Sequence, residues 1–415
     1  MKRFLSFLLM ITVLSAAFAS CGISNGGETP TPTDSPKETE APLGNTQKPT
    51  ENTSNNNSSN NDDSPEPPEE NDDNEENGGL TEGDGNGNTE GEGDTTPISD
   101  ILELELNEDQ QGYTVVGVKD NSVTSVIIGT YNGLPITCIG ESAFSGCTLI
   151  VSIVIPDTVT TIKDKAFFGC SKLEQINIPD SIVSIGRDVF KDCLLIKYTE
   201  YDNAYYLGND SNPYLCLLKA KSAEITACNI HGDTKFILSE AFQGCNKLEA
   251  VSIPPSITSI GIWAFDGCRS LNGIYITDLA SWCKIDFKFN PLSSVKNLYV
   301  NGELITHLVI PDGVTHISAT AFFQCTALRS ITIPSSVMVI EKEAFYNCNN
   351  VVTVNLANSV THIGSSAFRS CTILETIYFD GTKEEWNAIE KGQQWDTSIG
   401  EYTISCDDGN IIKQS

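Results

Sequence analysis

Over roughly residues 113–415, apolar side chains recur with a beat of 23 residues. The clearest marker is Ala-Phe-x-x-Cys or a near copy of it. Its cysteines fall at 147, 170, 193, 245, 268, 325, 348 and 371, separated by 23, 23, 52, 23, 57, 23 and 23 residues. One unit, residues 171–193, reads SKLEQINIPDSIVSIGRDVFKDC. Leu173, Ile176 and Ile178 lie at i, i+3 and i+5. The last two, split by one polar residue, carry the period-2 mark of a short strand with one face inward. Pro179 stops that strand by removing a backbone donor. Ile182 and Ile185 make a second apolar pair, and Gly186 turns the chain. Val189-Phe190 is expected to plug the interior from a tight helical turn before Cys193 closes the coil. A unit of this size cannot bury its own apolar residues, so successive units must stack in parallel. The pattern predicts a repeat solenoid, mainly β with short helical or 3-10 turns. Eleven strand positions run from Val126–Ile128 to Ile377–Phe379, and a spacing of ~4.8 Å makes the rod about 50 Å long.

The two long intervals each hide an enlarged coil, of 29 residues at about 194–222 and of 34 residues at about 269–302. The register survives both: Ser222 is followed by Ile225, Cys228 and Ile230, and Gly302 by Ile305, Leu308 and Ile310. In the first, Tyr205-Tyr206-Leu207 and Tyr214–Leu218 flank a turn and read as a hairpin. In the second, Asp278 is placed to cap a helix carrying Trp282, and Asn301-Gly302 marks a tight hairpin. Open solenoid ends expose a sheet edge and apolar core, so both need covering. Leu102-Glu-Leu-Glu-Leu106 and Tyr113–Val118 are the expected front cap. Thr382-Lys-Glu-Glu385 is a capping box that opens a short helix with Trp386 and Ile389, followed by a last strand near Tyr402–Ile404.

The repeated phrase IxIPxxVTxIGxxAFxGCxxL resembles the BspA-like subclass of leucine-rich repeats found in bacterial surface proteins. The resemblance spans about residues 113–415 and implies a right-handed solenoid with a parallel sheet. It also implies adhesion to a host-matrix or bacterial surface protein, and no enzymatic activity.

The N-terminal part is unlike the rest. Lys2 and Arg3 precede an apolar run from Phe4 to Phe18, too short to span a bilayer core and ordered like an export signal. Phe18-Ala-Ser-Cys21 resembles a bacterial lipobox, which implies cleavage before Cys21 and its acylation. Residues 21–98 form an acidic Asn/Asp/Glu/Pro-rich linker: between 22 and 97 there are 19 carboxylates against Lys37 and Lys48, and no aromatic residue. Such a segment has no apolar surface to offset the entropy of ordering. The expected layout is a lipoprotein signal (1–20), the linker (21–98), a front cap with the first coil (99–140), repeats (141–379) and a back cap (380–415). The formal net charge of −30 argues against nucleic acid, because phosphate recognition requires cationic patches. The expected protein is an exported, membrane-anchored monomer at the cell surface.

Candidate chemistry is sparse. The chain carries no CxxC pair, Cys/His cluster, phosphate loop or nucleophile–base phrase, so neither a metal, a cofactor nor catalysis is expected. The repeat cysteines read as a column of small buried thiols. His316 and His362 share one outward repeat position two coils apart, about 10 Å, too far to share a metal. The outward residues of the strands line one surface: Glu174, Gln175, Asn177, Glu249, Ser252, Tyr275, Arg329, Thr332, Asn355, Glu375 and Tyr378. Tyr and Arg are favoured at hot spots. The enlarged coils offer a second set, Tyr205, Tyr206, Trp282 and Tyr299, suited to a glycan. A structural envelope or spacer role is the further alternative.

Overall fold

In a computed structural model the protein is described over residues 98–414. The export signal, Cys21 and nearly all of the acidic segment lie outside those residues. The chain winds into a β-solenoid of about 13 turns with parallel sheets and little helix. That exceeds the eleven expected because the enlarged coil and the back cap each add a strand. Leu298–Val300 pairs in parallel with Gly273–Ile276, and Tyr402–Cys406 with Thr376–Asp380.

Three backbone ladders hold neighbouring coils together. The front ladder takes the strands that the alternation predicts, such as Ser330–Ile333, Thr353–Ala357 and Thr376–Asp380, in strict 23-residue register. Their inward residues Ile331, Val354 and Ile377 are buried. The side ladder takes the second apolar pair, for example Thr161–Ile162 against Ser184–Ile185. Gly186 follows it for reasons of space: a Cβ there would come 2.4 Å from the Asp164 backbone nitrogen.

The third ladder runs through the Ala-Phe-x-x-Cys turn, where the expected helical turn gives way to a run of tight turns. The residues two before and two after each Phe are left-handed, as at Ser142 (φ 57°) and Gly146 (φ 75°). The reversal aims alternate N–H groups at the next coil. Ser142, Phe144 and Gly146 donate to Asp164, Ala166 and Phe168 at 2.8–3.0 Å, and Phe345 donates to Ala367 at 2.8 Å. The Phe rings consequently stack. Phe322–Phe345 and Phe345–Phe368 centroids are 5.3 and 5.2 Å apart, and all three rings are buried. Each such ring stabilises the stack by roughly 1.5–3 kcal/mol of burial.

Two small side chains complete the coil. The Cys thiol donates to the preceding coil's Phe carbonyl, as in Cys170 to Phe144 (3.0 Å) and Cys348 to Phe322 (3.1 Å). A hydroxyl shortly after the front strand donates likewise: Ser181 to Val159 and Ser359 to Val337, at 2.7 and 2.8 Å.

Each of the three ladders is interrupted around the enlarged coils, although at the second the side ladder still reaches Asp286–Phe287 and the front ladder Leu298–Val300. The front and side sheets of the first coils end at Gln175–Ile176 and Ser184–Ile185. Beyond them Thr199–Tyr201, Ala204–Leu207 and Cys216–Ala220 form an antiparallel hairpin ribbon. Side chains patch this gap: Asn203 Nδ2 donates to Ala227 O (2.8 Å), and Asn209 Nδ2 to Ile178 O (2.9 Å). At the second break Asp278 caps Leu279–Trp282, a helix of one turn. Trp282 Nε1 then donates to Ala321 O (2.9 Å) and Asn290 Nδ2 to Thr320 O (2.7 Å). Elsewhere the position of Ala321 O is served by the preceding coil's turn, as Ala166 O is by Phe144 N–H. At the front, Leu102–Leu106 lies antiparallel to Tyr113–Val118. At the back, the Thr382/Glu385 capping box opens Lys383–Ala388, and Gly409–Lys413 folds back on Tyr402–Cys406.

Candidate binding face

The front ladder orders its outward side chains into columns. One runs Val309, Thr332, Asn355, Tyr378 and Ser405, and an equivalent one runs Asn229, Ser252, Tyr275 and Tyr299. Many of the small polar members bond along the column. Asn355 Nδ2 donates to Thr332 Oγ1 at 3.3 Å, and His307 Nδ1 lies 2.8 Å from Ser330 Oγ. Tyr378 stands half out of this surface, at 50% exposure. With Asn355 it lines an open groove of about 500 Å³ that also touches Pro334, Asp380 and Asp407. Glu249, Arg329 and Glu375 are exposed just ahead of their strands.

Tyr275 and Tyr299, assigned from the sequence to two different surfaces, are brought together. Their rings stack at 4.6 Å and 13°. Burial, reinforced by the neighbouring Tyr299, raises the Tyr275 phenol above its ordinary pKa, so it stays neutral. Tyr299 leans across Gly273, where a Cβ would meet its ring at 2.3 Å. That glycine is the sequence trace of the arrangement.

Glu174, Gln175 and Asn177 line a second open groove, of about 790 Å³, beside the first break in the ladder. Glu174 is paired with Lys197 at 2.9 Å. Asn177 spends its amide on Ile155, accepting from the backbone N–H and donating to the carbonyl, both at 2.7 Å. It is a brace between coils.

The set expected from the enlarged coils falls apart. Tyr206 and Trp282 are buried at 0% and 1% exposure and cannot meet a ligand at the surface. Both fill core that the interrupted ladders leave open. Tyr205 is half-buried and packs on Tyr198 at 4.0 Å, with Lys219 Nζ 5.8 Å from the Tyr198 ring. Tyr198, a residue the sequence reading passed over, is 40% exposed. It stands one coil on from Gln175, which is the signal that marks it. Ile127, Val154 and Val309 were also passed over, and they expose apolar surface on the front face.

Chemistry of other kinds is poorly served. Burial pushes the Cys325 and Cys371 thiols up to about 12, which leaves them protonated and unreactive. His316 and His362 sit two coils apart in the side ladder, with Val339 between them. Among the described residues no three His, Cys, Asp or Glu side chains converge as a metal site would require. No described helix is long and apolar enough to cross a membrane.

The sequence pattern described as BspA type leucine rich repeat region, in six copies, matches residues 124–211, 220–304 and 293–414. The chain belongs to that family. A BspA-type repeat protein has a surface or protein-binding role, and proteins of this kind are generally not enzymes. Solved structures similar to this BspA-type chain are bacterial. A leucine-rich repeat protein from Bacteroides ovatus is 26% identical over 72% of this chain and 88% of its own, with a TM-score of 0.29. A leucine rich cell surface protein from Faecalibacterium prausnitzii is 22% identical over 70% and 96%, with a TM-score of 0.29. The T. pallidum leucine rich repeat protein is 19% identical over 62% and 90%, with a TM-score of 0.28. No curated protein is matched.

Proposed function

We propose that this BspA-type protein is held at the bacterial cell surface by a lipid on Cys21. In this reading the outward face of the front ladder binds a protein of the host matrix or of another bacterial surface. The observation that carries the reading is the set of aromatic residues raised from a sheet face whose other members are mostly small and polar, with Ile127, Val154 and Val309 the exposed apolar exceptions. These are Tyr378 at 50% exposure and the stacked pair Tyr275–Tyr299. Tyr is enriched among residues that dominate binding energy, and small polar neighbours suit a wet, reversible interface. The acidic segment from 22 to 97 is the tether that lifts the solenoid off the membrane. The test is an equilibrium binding measurement of residues 99–415 against purified matrix and bacterial surface proteins, repeated with Tyr275→Ala and Tyr378→Ala. Each change is expected to weaken binding by ~10-fold or more while leaving the unfolding midpoint in place. Unchanged affinity in both variants rejects the front face. Radiolabelled fatty acid that enters a Cys21→Ala variant as well as the parent rejects the anchor.

A further inference from the structure

Among the described residues all thirteen cysteines are free, and two of them, Cys138 and Cys193, are partly exposed. Cys138 stands opposite Thr161 in the side ladder. Cys193 stands next to another thiol. Its Sγ donates to Phe167 O at 3.0 Å, just as Cys170 donates to Phe144 O at 3.0 Å one coil earlier. The two thiols thus occupy equivalent positions in adjacent stacked coils. Cys193 is the last thiol before the first break. The turn of the previous coil is tied forward, Phe167 donating to Val189 and Gly169 to Lys191. In the turn that carries Cys193 the equivalent donors Phe190 and Asp192 make no such forward bond. The coil thus covers Cys193 with Cys170 on one side and with no thiol on the other.

We propose that Cys193 and Cys170 form a redox pair that low-molecular-weight disulfides convert into an intercoil disulfide. The Cys193 thiolate attacks one sulfur of R–S–S–R, a mixed disulfide forms and RS⁻ leaves. Cys170 gives up its proton, attacks Cys193 Sγ and expels the second RS⁻. Two protein thiols lose two electrons and two protons, and the oxidant is reduced to two RSH. Equivalent residues of stacked coils lie ~4.8 Å apart, within the Cα range that a disulfide tolerates. The sulfurs must leave the two Phe carbonyls and converge, which a turn without forward ladder bonds permits. The neighbouring Cys170 thiol lowers the Cys193 pKa, against burial and the Asp192 carboxylate, which favours Cys193 as the attacking sulfur. The bond staples two coils together beside the enlarged coil.

The experiment treats the folded full chain with oxidised glutathione and maps the products by mass spectrometry of peptides. Expected are a Cys170–Cys193 bridge lacking two hydrogens, and a persistent glutathione adduct on Cys138, which has no thiol to resolve it. With Cys170→Ser the adduct on Cys193 is expected to persist as well, and with Cys193→Ser Cys170 stays reduced. Three results overturn the proposal: a lasting glutathione adduct on Cys193 in the parent chain, no reaction at Cys193 under conditions that modify Cys138, or bridging of Cys170 to Cys147. The parent chain alone decides among these, so a poorly folded variant does not blunt the test.

Discussion

The coils from His307 to Asp380 and the enlarged coil at 269–302 do the same job by different means. In the regular stretch, each coil satisfies its neighbour by repetition. Front strand meets front strand, Phe donates to the next coil's Ala, and the thiol returns a bond to the Phe carbonyl. The buried positions there are interchangeable in kind, since an apolar residue recurs 23 positions on, as at Ile331, Val354 and Ile377. In the enlarged coil the turn ladder stops and individual side chains fill in. The indole of Trp282 and the amide of Asn290 donate to the carbonyls of Ala321 and Thr320, and the Asp278 carboxylate caps the helix. Residues that break a repeat invite a functional reading, yet a backbone whose neighbour is missing needs those same residue types.

The sharpest way to break this comparison is in the middle of the Phe stack. Phe345 is fully buried between two rings, and Phe345→Ala should cost about 3–5 kcal/mol, read from denaturant unfolding. A loss below 1 kcal/mol would mean that the ladders, and not the rings, hold the regular coils together. Trp282→Phe keeps most of the apolar volume but withdraws the donor from Ala321 O. The expected loss is about 1–3 kcal/mol, the penalty for a buried carbonyl left short of a partner. An unchanged midpoint would show that the Asn290 amide, whose Nδ2 lies 3.2 Å from Ala321 O, suffices for that carbonyl.

These contrasts mark what the sequence could and could not disclose. The front strands, both hairpins, the capping box and the enlarged coils follow from local chemistry: alternation at Ile176 and Ile178, Asn301-Gly302, and Thr382 with Glu385. The turn ladder was not legible, because its left-handed residues are as varied as Ser142, Lys165, Asp188 and Trp263 and share no side-chain chemistry. The binding face was half legible. The period places Tyr378 outward, but it is silent on Tyr299, which reaches Tyr275 only because residue 273 lacks a side chain. Tyr206 and Trp282 misled because an aromatic residue in an irregular segment reads the same whether it faces solvent or fills a gap.

Smaller effects sharpen the picture. Cys348→Ala removes a thiol that donates to Phe322 O, and a loss of about 1 kcal/mol is expected. Cys348→Ser should recover part of it, since the hydroxyl restores the donor; equal losses would reduce the thiol to a space-filler. The smallest effect is a pH dependence at the second break. Burial raises the Asp278 carboxyl, but hydrogen bonds from Ser281 and Ala280 outweigh it and hold it below its ordinary 3.8. A carboxyl depressed in the folded state contributes stability above its unfolded value, and this is lost as pH falls through the folded one. The unfolding midpoint should therefore drop below about pH 4 more steeply in the parent chain than in Asp278→Asn. Parallel curves would mean that the cap carries no net charge preference.

Because the front, side and turn bonds are each interrupted in the neighbourhood of the two enlarged coils, the rod is built like three rail cars joined by short couplings. A pull along its length would load those couplings first, parting the cars in discrete jerks before any single car unravels. In the surface-binding role proposed above, such joints would yield before the regular coils do.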